Sequence, residues 1–508
     1  MTEPISRRRF LRSSAGGITF LALSPLGGGL FSAFDGAKTT PIPVPLFTAL
    51  PYLQPGEIGA LAKNAETCRL AWQTERRHAT FDVRFGMSKR YEQRAVVTSA
   101  ERFSGDAEEG EGRINYVATL PALELGRRYQ YQVRCNDQTI AEGYFTTRQG
   151  RGRPIRFAAF GDNSFGEISD RAIAYHTYLA NPDFVMNTGD NVYEGGLDNE
   201  YARYFFPVYN ADVAGQRIGA PLLRSVPFHT VIANHDVHDH NVNKHPVADF
   251  DKNPDSLAYY TNLYLPLNGP FPPQPTPAIG KIEHVERFKA AAGARFPRMA
   301  NYSYDFGDAH LLCLDSNLYV DPTNANLQQW ITADLSQTDA VWKFVVFHHP
   351  SFNVGLKHYE EQQMRVLTPI FEEHGVDFVL HGHEHTYQRT CPFRFTPTEM
   401  SKAAAVNEKD RRVEGRFRVD EKFDGQTRTK PDGIIYITTG AGGKHLYDGD
   451  FTDAPSKWRR REDKNVAYVA RFISDRHSLS IFDVDGRRLQ MRQIDEYGQE
   501  IDRIRVTK

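Results

Sequence analysis

Cysteine is scarce in this chain, with four residues, Cys68, Cys135, Cys313 and Cys391, among 508. That excludes a disulfide-built scaffold, and no cysteine has the spacing of a thiolate zinc site. An excess of charge of one sign is missing too. Lys and Arg number 61 against 63 Asp and Glu, a net charge of −2, so neither a basic nucleic-acid face nor an acidic solvating tail is indicated. No apolar run is long enough for a membrane span, since Ile18–Leu30 is broken by Ser24, Pro25 and glycines. A GxSxG nucleophile elbow is absent, and the histidines of the GHEH segment 382–385 have the wrong spacing for a zinc protease. The GAGGK segment 440–444 lacks the upstream glycine and the Ser/Thr of a phosphate-binding loop and reads as a tight turn after a strand. No internal repeat stands out.

What is present begins with an address. Ser6-Arg7-Arg8-Arg9-Phe10-Leu11-Arg12 precedes the short apolar stretch, and no acidic residue lies between Glu3 and Asp35. Residues 1–37 thus resemble a twin-arginine signal peptide, which implies export of the folded protein by the twin-arginine machinery to the periplasm or medium, with no stable membrane anchor after cleavage.

From residue 45 to 148 short alternating segments (TCRLAWQT, TFDVRFG, INYVATL, RYQYQVRC, EGYFTTR) predict a small antiparallel all-β sandwich. Cys68 shares strand parity with Leu70 and Trp72, and Cys135 with Val133 and Tyr131, so both face one core, as a disulfide or as two buried thiols. No His, Asp or Glu cluster accompanies these strands, which leaves them a packing or positioning role. After RQGRGRP the texture changes, and residues 154–508 read as α/β: apolar strands IRFAAF, DFVMNT, FHTVIA, HLLCLD, KFVVF, DFVLH and GIIYITT alternate with helical patterns such as DRAIAYHTYLA and EQQMRVLTPIFEEHG. His238–Arg298, rich in Pro and Asn, and the heavily charged Thr396–Lys430 are expected to be inserted loops.

The chemistry sits where these strands stop. IRFAAF runs into Gly161-Asp162-Asn163, DFVMNT into Gly189-Asp190-Asn191-Val192-Tyr193, FHTVIA into Asn234-His235-Asp236, KFVVF into His348-His349-Pro350, and DFVL into His381-Gly382-His383-Glu384-His385. Carboxyl ends of strands in an α/β sheet share one edge, so the five clusters converge. Carboxylates, an amide, a phenol and imidazoles without thiolate suit iron, manganese or zinc. Seven such groups exceed one ion's needs, whereas two ions sharing a carboxylate use them all and form a clamp for a phosphoryl group.

In this order GDN, GDNVY, ANHD, VVFHHP and GHEH resemble the signature of the calcineurin-like metallophosphoesterases, with the tyrosine of GDNVY similar to the purple acid phosphatase branch. The resemblance implies a fold of a fibronectin III-like sandwich followed by an α/β metallophosphoesterase domain of two packed mixed sheets flanked by helices. It implies two metal ions: Asp162, Tyr193 and His385 on the first, typically Fe(III), Asn234, His348 and His383 on the second, Fe, Zn or Mn(II), and Asp190 bridging. His348 is chosen over His349 on the family's His-x-Pro spacing.

The implied activity is hydrolysis of phosphate monoesters by in-line attack of a metal-bound hydroxide, with small phosphorylated substrates and no nucleic acid as partners. His235, beside Asn234, is the first candidate for general acid or phosphate contact; His358 is the second, against a reading as an exposed histidine at a helix start. His238, His240 and His245 read as surface residues of the inserted loop. Two departures stand out: Ser164 and Ala233 occupy positions where the family usually has glycine, and alanine at 233 requires a negative φ or some backbone adjustment. A phosphodiesterase or nucleotidase on the same site, and a non-catalytic binding protein, are the alternatives.

Overall fold

The computed structural model describes residues 44–61, 66–103, 112–237, 247–407, 409–463 and 466–508. The signal segment 1–37 and His238, His240 and His245 lie outside the described residues. No helix among the described residues is long and apolar enough to cross a membrane.

Seven strands come first: β1 (Phe47–Gln54), β2 (Glu66–Glu75), β3 (Phe81–Gly86), β4 (Gln93–Phe103), β5 (Gly112–Leu123), β6 (Arg128–Cys135) and β7 (Gln138–Thr146). They form one antiparallel sheet in the order β1-β2-β5-β4-β3-β6-β7. One end of β4 pairs with β3 and the remainder with β5, so the sheet folds its two halves over a single core. There Trp72 of β2 meets Phe81 of β3 edge-on at 5.2 Å and stacks on Tyr116 of β5 at 5.5 Å. Cys68 and Cys135 both face this core, as their parity predicts, and both are free thiols. Strands β1 and β4 were not expected: Pro51 interrupts β1, and β4 holds its two neighbours without the buried alternation that marks a strand.

Then follow β8 (Ile155–Phe160), β9 (Phe184–Asn187), β10 (Phe228–Thr230), the two-residue pair β11 (Ala248–Asp249) and β12 (Ala278–Ile279), β13 (Tyr302–Phe306), β14 (Ala309–Cys313), β15 (Trp342–Val346), β16 (Phe378–His381), β17 (Tyr387–Thr390), β18 (Phe393–Pro397), β19 (Gly415–Val419), β20 (Ile435–Thr439), β21 (Val469–Ile473), β22 (Ser478–Asp485), β23 (Arg488–Asp495) and β24 (Glu500–Thr507). Two mixed sheets result, β10-β9-β8-β22-β23-β24 and β13-β14-β15-β16-β20-β17-β21. Within them β8, β9 and β10 run parallel, as do β14, β15, β16 and β20. The sheets meet face to face through Phe157, which stacks on Phe482 at 4.6 Å within the first sheet and abuts Phe344 of the second at 5.2 Å.

Helices cover the outer faces. Ile168–Ala180 starts in a capping box between Glu167 and Asp170 and ends at left-handed Asn181. Ala325–Gln337 is capped by Asn324 and buries Leu327, Ile331 and Leu335, a four-residue spacing that puts them on one stripe.

Both expected loops are corrected. Residues 247–298 contain the helix Ile282–Ala292 and bury Phe250, Leu257, Tyr259, Tyr260, Leu263 and Leu265, so the segment is part of the core. Thr396–Lys430 contributes to the β18–β19 hairpin and the helix Glu399–Ala404. Proline and charge hid apolar residues that follow no regular period. The segment 361–375 is helical as expected, but its first turn, Gln363–Leu367, is 3₁₀.

Residues 43–508 form one compact unit. The N-terminal sheet grips the second part through buried polar contacts. Tyr52 donates to Asn262 O at 2.8 Å, and Arg113 pairs with Asp198 at 2.7 Å while Gln73 donates to Asn262 Oδ1 at 2.9 Å. Asp198 closely follows Tyr193, so the sheet steadies the segment that carries this tyrosine.

Candidate metal centre

The parallel edges of β8, β9 and β10 in one sheet and of β15 and β16 in the other face a common space, and all seven expected donor residues lie around it. Three of them, Asp162, Asp190 and His383, have positive φ of 59°, 51° and 67°. Left-handed backbone costs a non-glycine residue about 1 kcal/mol or more, and such strain gathers at functional sites. Each sharp turn aims a side chain off the strand end into the centre.

The hydrogen bonds fix which atoms point inward. His348 Nδ1 donates to Thr188 O at 2.9 Å, which leaves Nε2 at 3.3 Å from Asp190 Oδ2 and 3.2 Å from His383 Nδ1. His383 uses its other nitrogen, Nε2, on Glu361 Oε2 at 2.8 Å. His385 Nδ1 donates to His445 O at 2.7 Å, so Nε2 faces Tyr193 Oη at 3.4 Å and Asp162 Oδ1 at 3.5 Å. Tyr193 Oη lies 2.9 Å from Asp190 Oδ2 and 3.3 Å from Asp162 Oδ1. Asp190, Tyr193, His348 and Asp162 therefore form one linked cluster, with Asp190 in its middle.

His349 lies beside this cluster, its ring 4.4 Å from that of His383, and with Glu361 and His383 it forms a second group of ligand atoms within 4.8 Å of one another. Its Nδ1 meets Ser316 Oγ at 3.0 Å and its Nε2 lies 3.9 Å from Glu361. His235 donates its backbone N–H to Asp190 Oδ1 at 3.0 Å, and its ring lies 4.5 Å from that of Tyr193. His358 is no exposed helix-start residue: its N–H donates to Glu384 at 2.9 Å, its Nδ1 meets Glu361 at 3.3 Å, and its ring lies 3.9 Å from that of His383.

Electrostatics suit a cation. Burial and the neighbouring Asp190 carboxylate push the Asp162 carboxyl well above its usual range. Burial would raise Asp190 as well, but the surrounding imidazoles, His348 foremost, hold it well below. Burial keeps His383 (about 4) and His385 (well below 6.5) neutral, the form in which imidazole binds metals. His348 is the exception, lifted to about 9 because Asp190 outweighs burial. Two buried carboxylates side by side are stabilised by positive charge between them.

Three further features fit bound metal ions. Asn234 Oδ1 is buried and meets no hydrogen-bond donor among the described residues, an orphan acceptor that a cation satisfies. Asp190, His348 and His383 present ligand atoms within 4.8 Å of one another. A Cβ on Gly382 would come within 2.6 Å of Asp162 Oδ2, and one on Gly440 within 2.7 Å of it, so glycine keeps the cradle open.

Three residues at the centre were not foreseen: Glu361, Lys444 and Tyr447. Lys444 is buried, pairs with Glu194 at 2.7 Å and lies 4.2 Å over the ring of Tyr193. Tyr447 Oη is 3.4 Å from His385 Nε2. None stands in a motif with readable spacing; proximity alone reveals them. Of the two glycine replacements, Ser164 takes the left-handed conformation (φ 61°), and Ala233 is not among the positive-φ residues. Asp236 braces the third block by accepting Ala233 N–H at 3.0 Å and Asn191 Nδ2 at 3.1 Å.

Residues 155–387 match the family model for calcineurin-like phosphoesterases. Purple acid phosphatase 21 of Arabidopsis thaliana is 24% identical over 377 residues, 71% of this chain and 72% of that protein. Purple acid phosphatase 18 of the same plant is 36% identical over 95 residues, 18% of this chain and only 21% of that protein. Among solved structures, the purple acid phosphatase PPD1 from yellow lupin seeds superposes with a TM-score of 0.60 at 16% identity, covering 90% of this chain and 74% of the lupin chain. PhoD superposes with a TM-score of 0.51 at 12% identity, covering 92% and 94%. Residues 155–387 thus carry a calcineurin-like phosphoesterase domain, and the proteins that resemble the chain over most of its length include purple acid phosphatases.

Proposed function

We propose that this protein is an exported acid phosphatase that hydrolyses phosphate monoesters at a dinuclear centre. Asp162, Tyr193 and His385 would hold one ion, read as Fe(III), and Asn234, His348 and His383 the other, read as Fe, Zn or Mn(II), with Asp190 available to both. The observation that carries the reading is the convergence of these donors from five strand ends, with the far nitrogen of every ligand imidazole already engaged. When bound, the ions supply positive charge for the phosphoryl oxygens and lower the pKa of water to about 7 or below.

The chain's own groups complete the chemistry. Asp190 is steadied by the His235 N–H, and the His235 ring at the edge of the cluster gives the leaving oxygen its proton. The hydrogen bond to Glu361 raises the His358 pKa against the effect of burial, and the protonated ring contacts a phosphoryl oxygen. The sandwich, read as fibronectin III-like, holds the Tyr193 segment in place through Asp198. Residues 1–37 direct the folded enzyme to the twin-arginine pathway.

The test is p-nitrophenol release from p-nitrophenyl phosphate and from its bis ester across pH, with the purified metalloprotein. Faster monoester turnover with an acidic optimum supports the reading; faster diester turnover at neutral or alkaline pH overturns it in favour of a phosphodiesterase. If the enzyme is inactive on both, and Asp190→Ala changes nothing, the centre is not catalytic.

A further inference from the structure

Lys357 stands at the mouth of the centre in an unusual setting. Its ammonium lies 3.6 Å above the centroid of the Tyr447 ring, and the same ring is stacked on His385 at 4.1 Å with an interplanar angle of 16°. Near-parallel stacking occupies one face of the phenol, so the lysine holds the other. Tyr447 is thus a spacer between a ligand imidazole and a fixed cation.

Both loops that build this stack are pinned. Leu356 N donates to Asp448 Oδ2 at 2.7 Å, and His358 N to Glu384 Oε1 at 2.9 Å, so the backbone is held on either side of Lys357. Tyr447 N donates to His385 O at 3.3 Å, and Ser474 Oγ donates to Tyr447 O. Asp448 and Glu384 thus accept the backbone N–H groups on either side of Lys357. No salt bridge engages Lys357 among the described residues, whereas the neighbouring Lys444 is neutralised by Glu194. The exposed ring of His445, 5.6 Å from Tyr447, adds no negative charge beside it.

A cation that is held in place yet forms no salt bridge is prepared for an anionic ligand. It lies one ring thickness outside His385, and so outside the space in which the scissile phosphoryl group would sit. We propose that Lys357, seated on Tyr447, is a second anion subsite, and that the favoured substrates are phosphate esters carrying a further negative group, carboxylate or phosphate, a few bonds from the scissile phosphorus. This inference rests on the phosphomonoesterase reading above. It concerns substrate choice and leaves the ligands unchanged.

The test compares phenyl phosphate with 4-carboxyphenyl phosphate, which differ by one remote charge, using the metal-loaded wild type, Lys357→Met and Lys357→Arg. In the wild type the ratio of kcat/KM values should favour the carboxylated ester. Lys357→Met should lower that ratio about threefold to fivefold, the size of one partly exposed ion pair, through KM, while Lys357→Arg keeps most of it. Raising the salt concentration should erode the wild-type preference and leave the ratio of Lys357→Met flat. A ratio that is the same in wild type and Lys357→Met overturns the subsite, whether both substrates slow equally or neither changes. A further arm with phosphoenolpyruvate and a sugar bisphosphate then distinguishes carboxylate from phosphate as the second group. A wild type inactive on phenyl phosphate would instead remove the phosphomonoesterase reading, and this inference with it.

Discussion

His383 Nε2 donates to Glu361 Oε2 at 2.8 Å while Nδ1 of the same ring faces His348 Nε2 at 3.2 Å. The carboxylate therefore sets the tautomer and the rotation of a ligand imidazole and draws electron density toward its inward nitrogen. Partners of this kind typically contribute tenfold to a hundredfold in metal affinity or activity. Glu361→Ala is expected to lose about that factor in the metal required for half-maximal activity, with little change in the far-ultraviolet circular dichroism; Glu361→Gln, which can still accept, should lose less. Metal content after dialysis against a chelator measures it, and equal retention by all three proteins would deny Glu361 this role.

Gly382 carries no chemistry, yet its replacement should disable the centre. A Cβ there would stand 2.6 Å from Asp162 Oδ2, 2.9 Å from His348 Nδ1 and 3.0 Å from Thr188 O. Gly382 is not among the positive-φ glycines, so alanine meets no left-handed backbone penalty and the effect falls on two ligands and the Thr188 carbonyl that holds one of them. Gly382→Ala should fold with a loss of about 1–3 kcal/mol, as overpacking does, and should bind less than the full complement of metal. Its activity should fall by more than a hundredfold. Normal metal content with normal activity would show that the cradle can widen.

The five donor blocks were legible because each is a local event: an apolar strand ends, and a metal-competent side chain begins the next turn. Asp162, Asp190 and Asn234 follow β8, β9 and β10, and His348 and His383 follow β15 and β16, so strand identity alone brought them to shared edges. What escaped was non-local. Glu361, Lys444 and Tyr447 reach the centre from loops whose spacing carries no signal. In β23 the buried Leu489 and Met491 alternate with Arg488, Gln490 and Arg492, a thin pattern for a strand that antiparallel neighbours complete on both sides. The insertion before Arg298 fills the core with aromatics set among prolines, which composition reads as loop.

His310 couples stability to pH on the alkaline side. It bridges β14 to its surroundings, with Nδ1 at 2.8 Å from Asp305 and Nε2 at 2.7 Å from Asp334. Burial would lower its pKa, but the two carboxylates raise it to about 9. Folding therefore binds a proton more tightly than the unfolded chain, whose histidine titrates near 6.5. The stability gained is fully present below about pH 6.5 and is lost as pH rises through about 9, roughly 3 kcal/mol in all. Urea unfolding at several pH values should show this decline in the wild type relative to His310→Gln. Parallel curves for the two proteins would mean that the bridge is uncharged.

His229 acts in the opposite direction, and matters for an enzyme proposed to work in acid. Its ring is buried in β10, stacked on Tyr304 at 3.7 Å, and neither nitrogen finds a partner among the described residues. Burial, with Arg148 nearby, holds its pKa well below 6.5. The unfolded chain takes up a proton at this residue below about pH 6.5 and the folded protein does not, so stability is present above that pH and falls beneath it, by up to about 1.4 kcal/mol per unit. His229→Phe keeps an aromatic ring against Tyr304 and removes the titration. The variant should unfold at a lower pH than the wild type in acid titrations followed by tryptophan fluorescence, with the two proteins converging in stability above pH 7. An unchanged acid midpoint would mean that other groups, or loss of the metals, set the acid limit of the fold.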